Sequence, residues 1–159
     1  MRRVLNLTML LGLLAVAAPV GAQTTATSAI SHEPLYAGLV SSAQSLKAET
    51  DGFAPSVSLL ARPDFVAYTK AIHTLSDGDM AGHLDLKARG TDRDLKCILM
   101  GVSLDLNIKM DALLAAKSDD AVRTALTNMS ELLSDNVDVI VTPATAESGL
   151  DCVIEFGNR

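Results

Sequence analysis

Two cysteines, Cys97 and Cys152, are the residues of this 159-residue chain whose chemistry is easiest to delimit. A redox-active or zinc-binding cysteine usually has a second cysteine or a histidine close in sequence, and neither of these two has one. Cys97 lies within the apolar run DLKCILMGV, where Lys96 is the only adjacent cation. In an exported protein this pair predicts one structural disulfide, which would close a loop of 56 residues. The alternatives are two buried thiols and a catalytic cysteine.

The three histidines of the chain are His32, His73 and His83. No two of them have the His-x-x-x-His spacing that places two imidazoles on one metal ion. His73 falls beside the apolar stripe of a predicted helix, so we interpret it as a half-buried packing residue. A haem held between helices by His73 and either Met80 or Met110 is an alternative, since helical bundles build cofactor sites in this way.

An acidic segment, DGDMAGHLD, resembles the start of a calcium-binding loop. Asp77, Asp79 and Asp85 fall at its first, third and ninth positions. The twelfth position, where such a loop needs a bidentate glutamate, is Ala88. We therefore predict a helix-breaking turn and no metal site. The residues that remain as weak candidates for a metal are Asp77, Asp79, Asp85, His73 and His83.

Motifs for catalysis are absent from the sequence. It contains no glycine-rich phosphate loop and no Gly-x-Ser-x-Gly nucleophile elbow. Of its paired carboxylates, Asp119 and Asp120 suit a helix N-terminus, while Glu131 and Asp135, four residues apart, suit a solvated helix face. We predict that the protein is not an enzyme and that it carries no cofactor.

An acidic composition with few aromatic residues argues against several classes of partner. The formal net charge is −6, and it becomes −8 without the two arginines of residues 1–22. Such a chain has no basic surface for nucleic acid or anionic lipid. Aromatic residues make up 3% of the chain and tryptophan is absent, which leaves few rings to stack on sugars or bases.

The N-terminus has the pattern of a secretory signal peptide. Arg2 and Arg3 precede an apolar stretch, and Val20-Gly21-Ala22 offers the small residues that a signal peptidase reads. The apolar stretch is shorter than a membrane-spanning helix requires. We expect residues 1–22 to be removed and the mature protein to be periplasmic or secreted, with no membrane span.

Apolar spacing predicts the elements that must position these residues. Residues 23–33 show no periodicity and indicate a flexible leader, followed by a single helical domain over 34–159. The first helix should run from Pro34 to near Gly52, with Leu35 on its apolar stripe. Pro63 opens a second helix, which residues 76–79 interrupt before a short helix that Gly90 ends.

Residues 94–117 have the spacing of a helix, although 102–110 alternate like a strand. Ser118, followed by two aspartates, is a strong helix start, and it favours a helical hairpin in which 94–117 and 119–136 run antiparallel. A second apolar row predicts that the first of these helices is buried over much of its circumference: Cys97, Met100, Leu104 and Ile108. Residues 137–142 either pair with 150–156 as a β-hairpin or extend the last helix.

These features predict a mainly α fold, a small bundle of about four helices with a short C-terminal β-hairpin or extended tail tied back by a Cys97–Cys152 disulfide. The predicted function is that of a non-enzymatic binding or interaction protein of the cell envelope, with an accessory, chaperone-like or inhibitor role. Its partner would be another envelope protein or a second copy. The alternative is a periplasmic carrier with a small-ligand or metal site between helices. An exposed apolar patch would favour the first function, and a closed cavity with convergent polar groups the second.

Overall fold

Four α-helices make up most of the described chain. The structure, a computed structural model, describes residues 29–90 and 94–142. The helices are α1 (Pro34–Gly52), α2 (Pro63–Arg89), α3 (Leu95–Leu114) and α4 (Asp119–Val141), and short 3-10 helices cover Ala29–His32 and Val57–Ala61. These two ranges contain no strand. The prediction of a mainly α bundle of four helices is confirmed.

Helix α1 begins and ends where the sequence predicts. Pro34 lies in the first turn, where its missing N–H group is not needed for a helical hydrogen bond. The side buried in the core repeats at spacings of three and four, through Tyr36, Leu39, Ala43, Leu46 and Thr50. Tyr36 takes the first core position, and the predicted Leu35 is 38% exposed.

Helix α2 is one continuous helix of 27 residues, so the predicted interruption at residues 76–79 is wrong. Asp79 is buried within the helix and does not cap a turn. Gly78 lies where α1 comes close, since a Cβ atom added to it would be 2.7 Å from Cδ2 of Leu39. The glycine therefore serves helix packing here. Gly90 ends the helix as predicted, with the left-handed φ of 64° that glycine adopts readily.

Helices α3 and α4 form the predicted helical hairpin. Helix α3 ends at Leu114, three residues before Lys117, the predicted end. Ser118 caps α4, because its Oγ accepts a hydrogen bond from the N–H of Ala121 at 3.2 Å. Asp94 precedes α3 without a side-chain cap hydrogen bond, and residues 91–93 lie outside the described residues.

The expectations for the two ends of the chain are settled only in part. Residues 137–141 continue α4 to Val141, so the hairpin alternative is wrong for them. The second predicted strand, 150–156, lies outside the described residues, as do the signal peptide and residues 23–28 of the predicted leader. The last residues of that leader form the Ala29–His32 3-10 helix, and Ile30 packs into the core.

The four helices close a ring around one apolar core. Helices α1 and α3 each pack against both α2 and α4, and the α1–α2 contact is the sparsest of the four. Short connections make neighbouring helices antiparallel, as in an up-down-up-down bundle. The most deeply buried side chains include Phe65, Ile72, Leu86, Leu99, Leu106, Met110, Leu113, Met129 and Leu133.

Candidate functional site

The five weak metal candidates all lie on α2, but the helix separates them. Asp77 is exposed, Asp85 is half-buried, and Asp79 is fully buried. The described residues contain no group of three or more histidine, cysteine or acidic side chains that could hold a metal ion. Because the calcium-loop pattern falls on a continuous helix, its aspartates point in different directions around the axis.

His73 belongs to a hydrogen-bonded network between α2 and α3. Its Nδ1 lies 2.7 Å from Oδ1 of Asn107, so Nδ1 carries the proton and donates. The amide of Asn107 donates to Oγ of Ser76 at 2.7 Å, and Ser76 donates to the carbonyl of Ser103 at 2.8 Å. These side chains are hydrogen-bonded to one another, so the network joins α2 to α3. His73 is half-buried within it.

His83 is buried and also bridges α2 to α3, where its Nδ1 donates to the carbonyl of Lys96 at 2.6 Å. On the opposite side of α2, the hydroxyl of Tyr36 donates to Asp85 at 2.7 Å. Burial and the Asp85 carboxylate raise the pKa of Tyr36. Arg89 bonds both Asp85 and Glu33, at 3.1 and 2.7 Å. Asp85 and His83 thus have structural partners.

A buried pair, Asp79 on α2 and Asn136 on α4, crosses the middle of the bundle. Nδ2 of Asn136 donates to Oδ2 of Asp79 at 2.7 Å, and both residues are 0% exposed. Burial raises the pKa of Asp79 from 3.8 to about 7, and the bond from Asn136 offsets part of this rise. The sequence gives a signal for Asn136, because it continues the α4 stripe of Val122, Leu126, Met129 and Leu133 at a spacing of three.

Exposed large apolar side chains concentrate on α2 and α3. Of the seven in the described chain, five lie on these two helices. We call this surface the α2–α3 outer face; it comprises Val66 (62% exposed), Leu84 (57%), Leu104 (43%), Ile108 (53%) and Leu114 (42%). Leu104 and Ile108 belong to the second apolar row of α3, so the prediction that this row is buried is wrong for these two residues.

The exposed side of α2 has the spacing of a helix–helix seam. Val66 and Leu84 are 18 residues apart, which is five turns, so they lie on the same side. Between them the positions repeat at spacings of four and three, through Lys70, His73, Asp77 and Met80. The series has heptad spacing, with apolar residues at Val66, Met80 and Leu84 and three polar residues between them.

A groove of about 750 Å³ runs between α1 and α2, where the bundle is most loosely packed. Leucine side chains and small hydroxyl residues line it, including Leu35, Leu39, Ser42, Ser45, Leu46 and Leu75. Its size is in the range of ligand sites, but it is an open surface groove without convergent charged groups. It therefore differs from the closed cavity that a carrier would need.

Cys97 lies on the side of α3 that faces away from the core. It precedes the fully buried Leu106 by nine residues, which is two and a half turns, so the two point in opposite directions. Cys97 is nevertheless only 2% exposed, and the described chain contains no free cysteine. Its predicted partner, Cys152, lies outside the described residues.

No protein-family model, curated protein or solved structure matches the chain. Among the described residues, no helix combines the length and the apolar character needed to cross a membrane.

Proposed function

We propose that this chain is an exported, non-enzymatic interaction protein of the cell envelope that binds through the α2–α3 outer face. The observation that carries the proposal is the concentration of exposed apolar side chains there, five of seven in the described chain. Large exposed apolar side chains on two adjacent helices support a role in binding a partner.

The partner that this face fits best is a second copy of the chain. The polar positions of this α2 series lie near its middle, with Lys70 and His73 in its first half and Asp77 in its second. An antiparallel pairing of two α2 helices that places Val66 opposite Leu84 also places His73 opposite Asp77. In such an isologous contact the His73–Asp77 pair occurs twice, and Lys70 lies opposite Met80. Along the bundle axis, Leu104 and Ile108 of α3 lie beside the middle of this α2 series. The residues that precede them, Ser103 and Asn107, form hydrogen bonds with Ser76 and His73 of α2.

Replacement of Ile108 by aspartate tests the proposal. We expect sedimentation equilibrium of the purified, unreduced protein to show a dimer, and Ile108→Asp to weaken dimerisation roughly a hundredfold, since burying a large apolar side chain contributes about 1.5–3 kcal/mol. The matched control is Leu35→Asp, which adds the same charge to an exposed apolar position on α1.

Two results would contradict dimerisation through this face. One is a wild-type protein that stays monomeric across the concentration series. The other is equal weakening by Ile108→Asp and Leu35→Asp, which would point to a general effect of added charge. Dimerisation that only the Ile108 variant loses would support the proposal.

We also propose the disulfide between Cys97 and Cys152. Its support is the burial of Cys97 on the outward side of α3, where a chain segment attached at this residue would cover it. Helix α4 returns beside the start of α3, which leaves ten residues between Val141 and Cys152 to reach it. In a chain-entropy treatment, closing this loop stabilises the fold by roughly 4 kcal/mol.

A carrier of a small apolar ligand is the second candidate function, and the α1–α2 groove favours it. The groove offers leucine side chains together with three serine hydroxyls, Ser41, Ser42 and Ser45. Gly38 also lines it, and an added side chain there would meet open space. A ligand that stays bound to the purified protein and is lost in Gly38→Leu would favour this function over the first.

A further inference from the structure

The buried Asp79–Asn136 pair is chemically incomplete if Asp79 is ionised. An ionised carboxylate only accepts hydrogen bonds, and the single bond from Asn136 occupies one of its oxygens. Oδ1 of Asp79 and Oδ1 of Asn136 have no hydrogen-bond partner, although both are buried. Two buried acceptors without a donor are costly, because each has lost its bonds to water.

A single proton resolves both deficits. A neutral carboxylic acid has an O–H group, which can donate to the amide oxygen while the amide N–H donates back to the acid. We propose that Asp79 is the binding site of a buried proton, held as the neutral acid that donates to Oδ1 of Asn136. The resulting pair of hydrogen bonds ties α2 to α4 across the ring, and release of the proton to solvent loosens the bundle.

Among the described residues, no charged group forms a hydrogen bond with Asp79 that would take the place of this proton. On α2 itself, His83 lies one turn away and bonds the carbonyl of Lys96 on α3, while Asp77 is exposed. From α1, Tyr36 reaches the same turn and bonds Asp85 and the carbonyl of Gly82. On α4, the neighbouring Asp135 is exposed. The raised pKa of Asp79 accordingly has burial as its main cause, with no contribution from a charged neighbour.

The direction of the pH effect follows from the two states of the carboxyl. Unfolded, Asp79 loses its proton near its ordinary pKa of 3.8; folded, it does so at about 7. The stabilisation is complete below the lower value and is lost as the pH rises to the upper one. Between them the unfolding equilibrium constant increases by up to about tenfold per pH unit. Asp51 and Asp64, whose pKa values are lowered, titrate below this window.

Asp79→Asn tests the proposal, because asparagine imitates the neutral acid in size and in having a donor. Urea unfolding of the purified protein should show that the wild type loses stability between pH 5 and pH 7, by roughly tenfold in the equilibrium constant per unit. Asp79→Asn should lose this slope. The control Asp135→Asn removes an exposed carboxylate one residue from Asn136 and should keep the wild-type slope.

Parallel pH profiles for the wild type and Asp79→Asn would overturn the proposal, since a group other than Asp79 would then cause the slope. An infrared spectrum of the wild type gives an independent test that needs no variant to fold. At pH 5–6 it should contain the carbonyl band of a protonated, hydrogen-bonded carboxylic acid, which disappears above pH 8. The absence of that band at pH 5–6 would also overturn the proposal.

Discussion

At the scale of single residues, the bundle is organised by polar side chains that reach across it. Asp79 and Asn136 connect α2 to α4, and Thr50 and Tyr68 connect α1 to α2. The sequence predicts helix faces from apolar spacing, and a polar residue on such a face is easily taken as a break. Asp79 lies four residues after Leu75 on the buried stripe, so strict spacing would have identified it as a core position. Its partner depends on tertiary packing, which spacing along one helix does not reveal.

The Tyr68 hydroxyl provides a test of this polar packing. Thr50 donates to the carbonyl of Leu46 at 2.7 Å, so Tyr68 must donate to Oγ1 of Thr50, 2.6 Å away. Burial raises the pKa of Tyr68 to about 12, and it therefore stays a donor at neutral pH. We expect Tyr68→Phe to reduce the free energy of unfolding by about 1 kcal/mol in urea titrations.

The comparison for this variant is Tyr36→Phe. Tyr36 bonds the half-buried Asp85, which also has Arg89 as a partner, so a smaller loss is expected. An equal or larger loss for Tyr36→Phe would show that exposure of the acceptor does not decide the cost.

At the scale of helices, the sequence predicts starts and stops well but places a false break in α2. Pro34, Pro63, Ser118 and Gly90 mark helix ends in the structure as they do in the sequence. The segment SDGD has the composition of a turn, and yet it is helical, because its glycine lies against α1 and its second aspartate in the core. Local composition could not report those contacts, since both depend on residues more than thirty positions away.

Two glycines in helical contexts should respond oppositely to alanine. Gly38 lies inside α1 with nothing within 4 Å of an added Cβ atom, so Gly38→Ala should stabilise the protein by about 0.5–1 kcal/mol. Gly90 has a φ of 64°, so Gly90→Ala should destabilise it by about 1 kcal/mol. Thermal unfolding of the two variants checks the signs. Stabilisation by Gly90→Ala would mean that α2 does not end in this conformation in solution.

At the scale of the whole molecule, the distribution of apolar surface separates the two functions that the sequence predicts. The described chain closes its core between four helices and leaves apolar side chains on α2 and α3. The sequence predicts that the second apolar row of α3 is buried, and it could not show that Leu104 and Ile108 stay exposed. In the structure, Cys97 and Gly101 of α3 are buried, whereas Leu104 and Ile108 are exposed. The exposed α2–α3 outer face supports the proposed protein–protein contact, and the α1–α2 groove is open to solvent.

The most direct test of the account is a native mass spectrum of the purified protein without reductant. We predict a dimer without a bound ligand, in which each chain has a mass two hydrogens below that of the reduced form. The dimer would support association through the α2–α3 outer face, and the mass deficit would support the disulfide. A monomer that retains a small-molecule adduct would contradict binding through the α2–α3 outer face, and it would favour a ligand-carrier function of the α1–α2 groove.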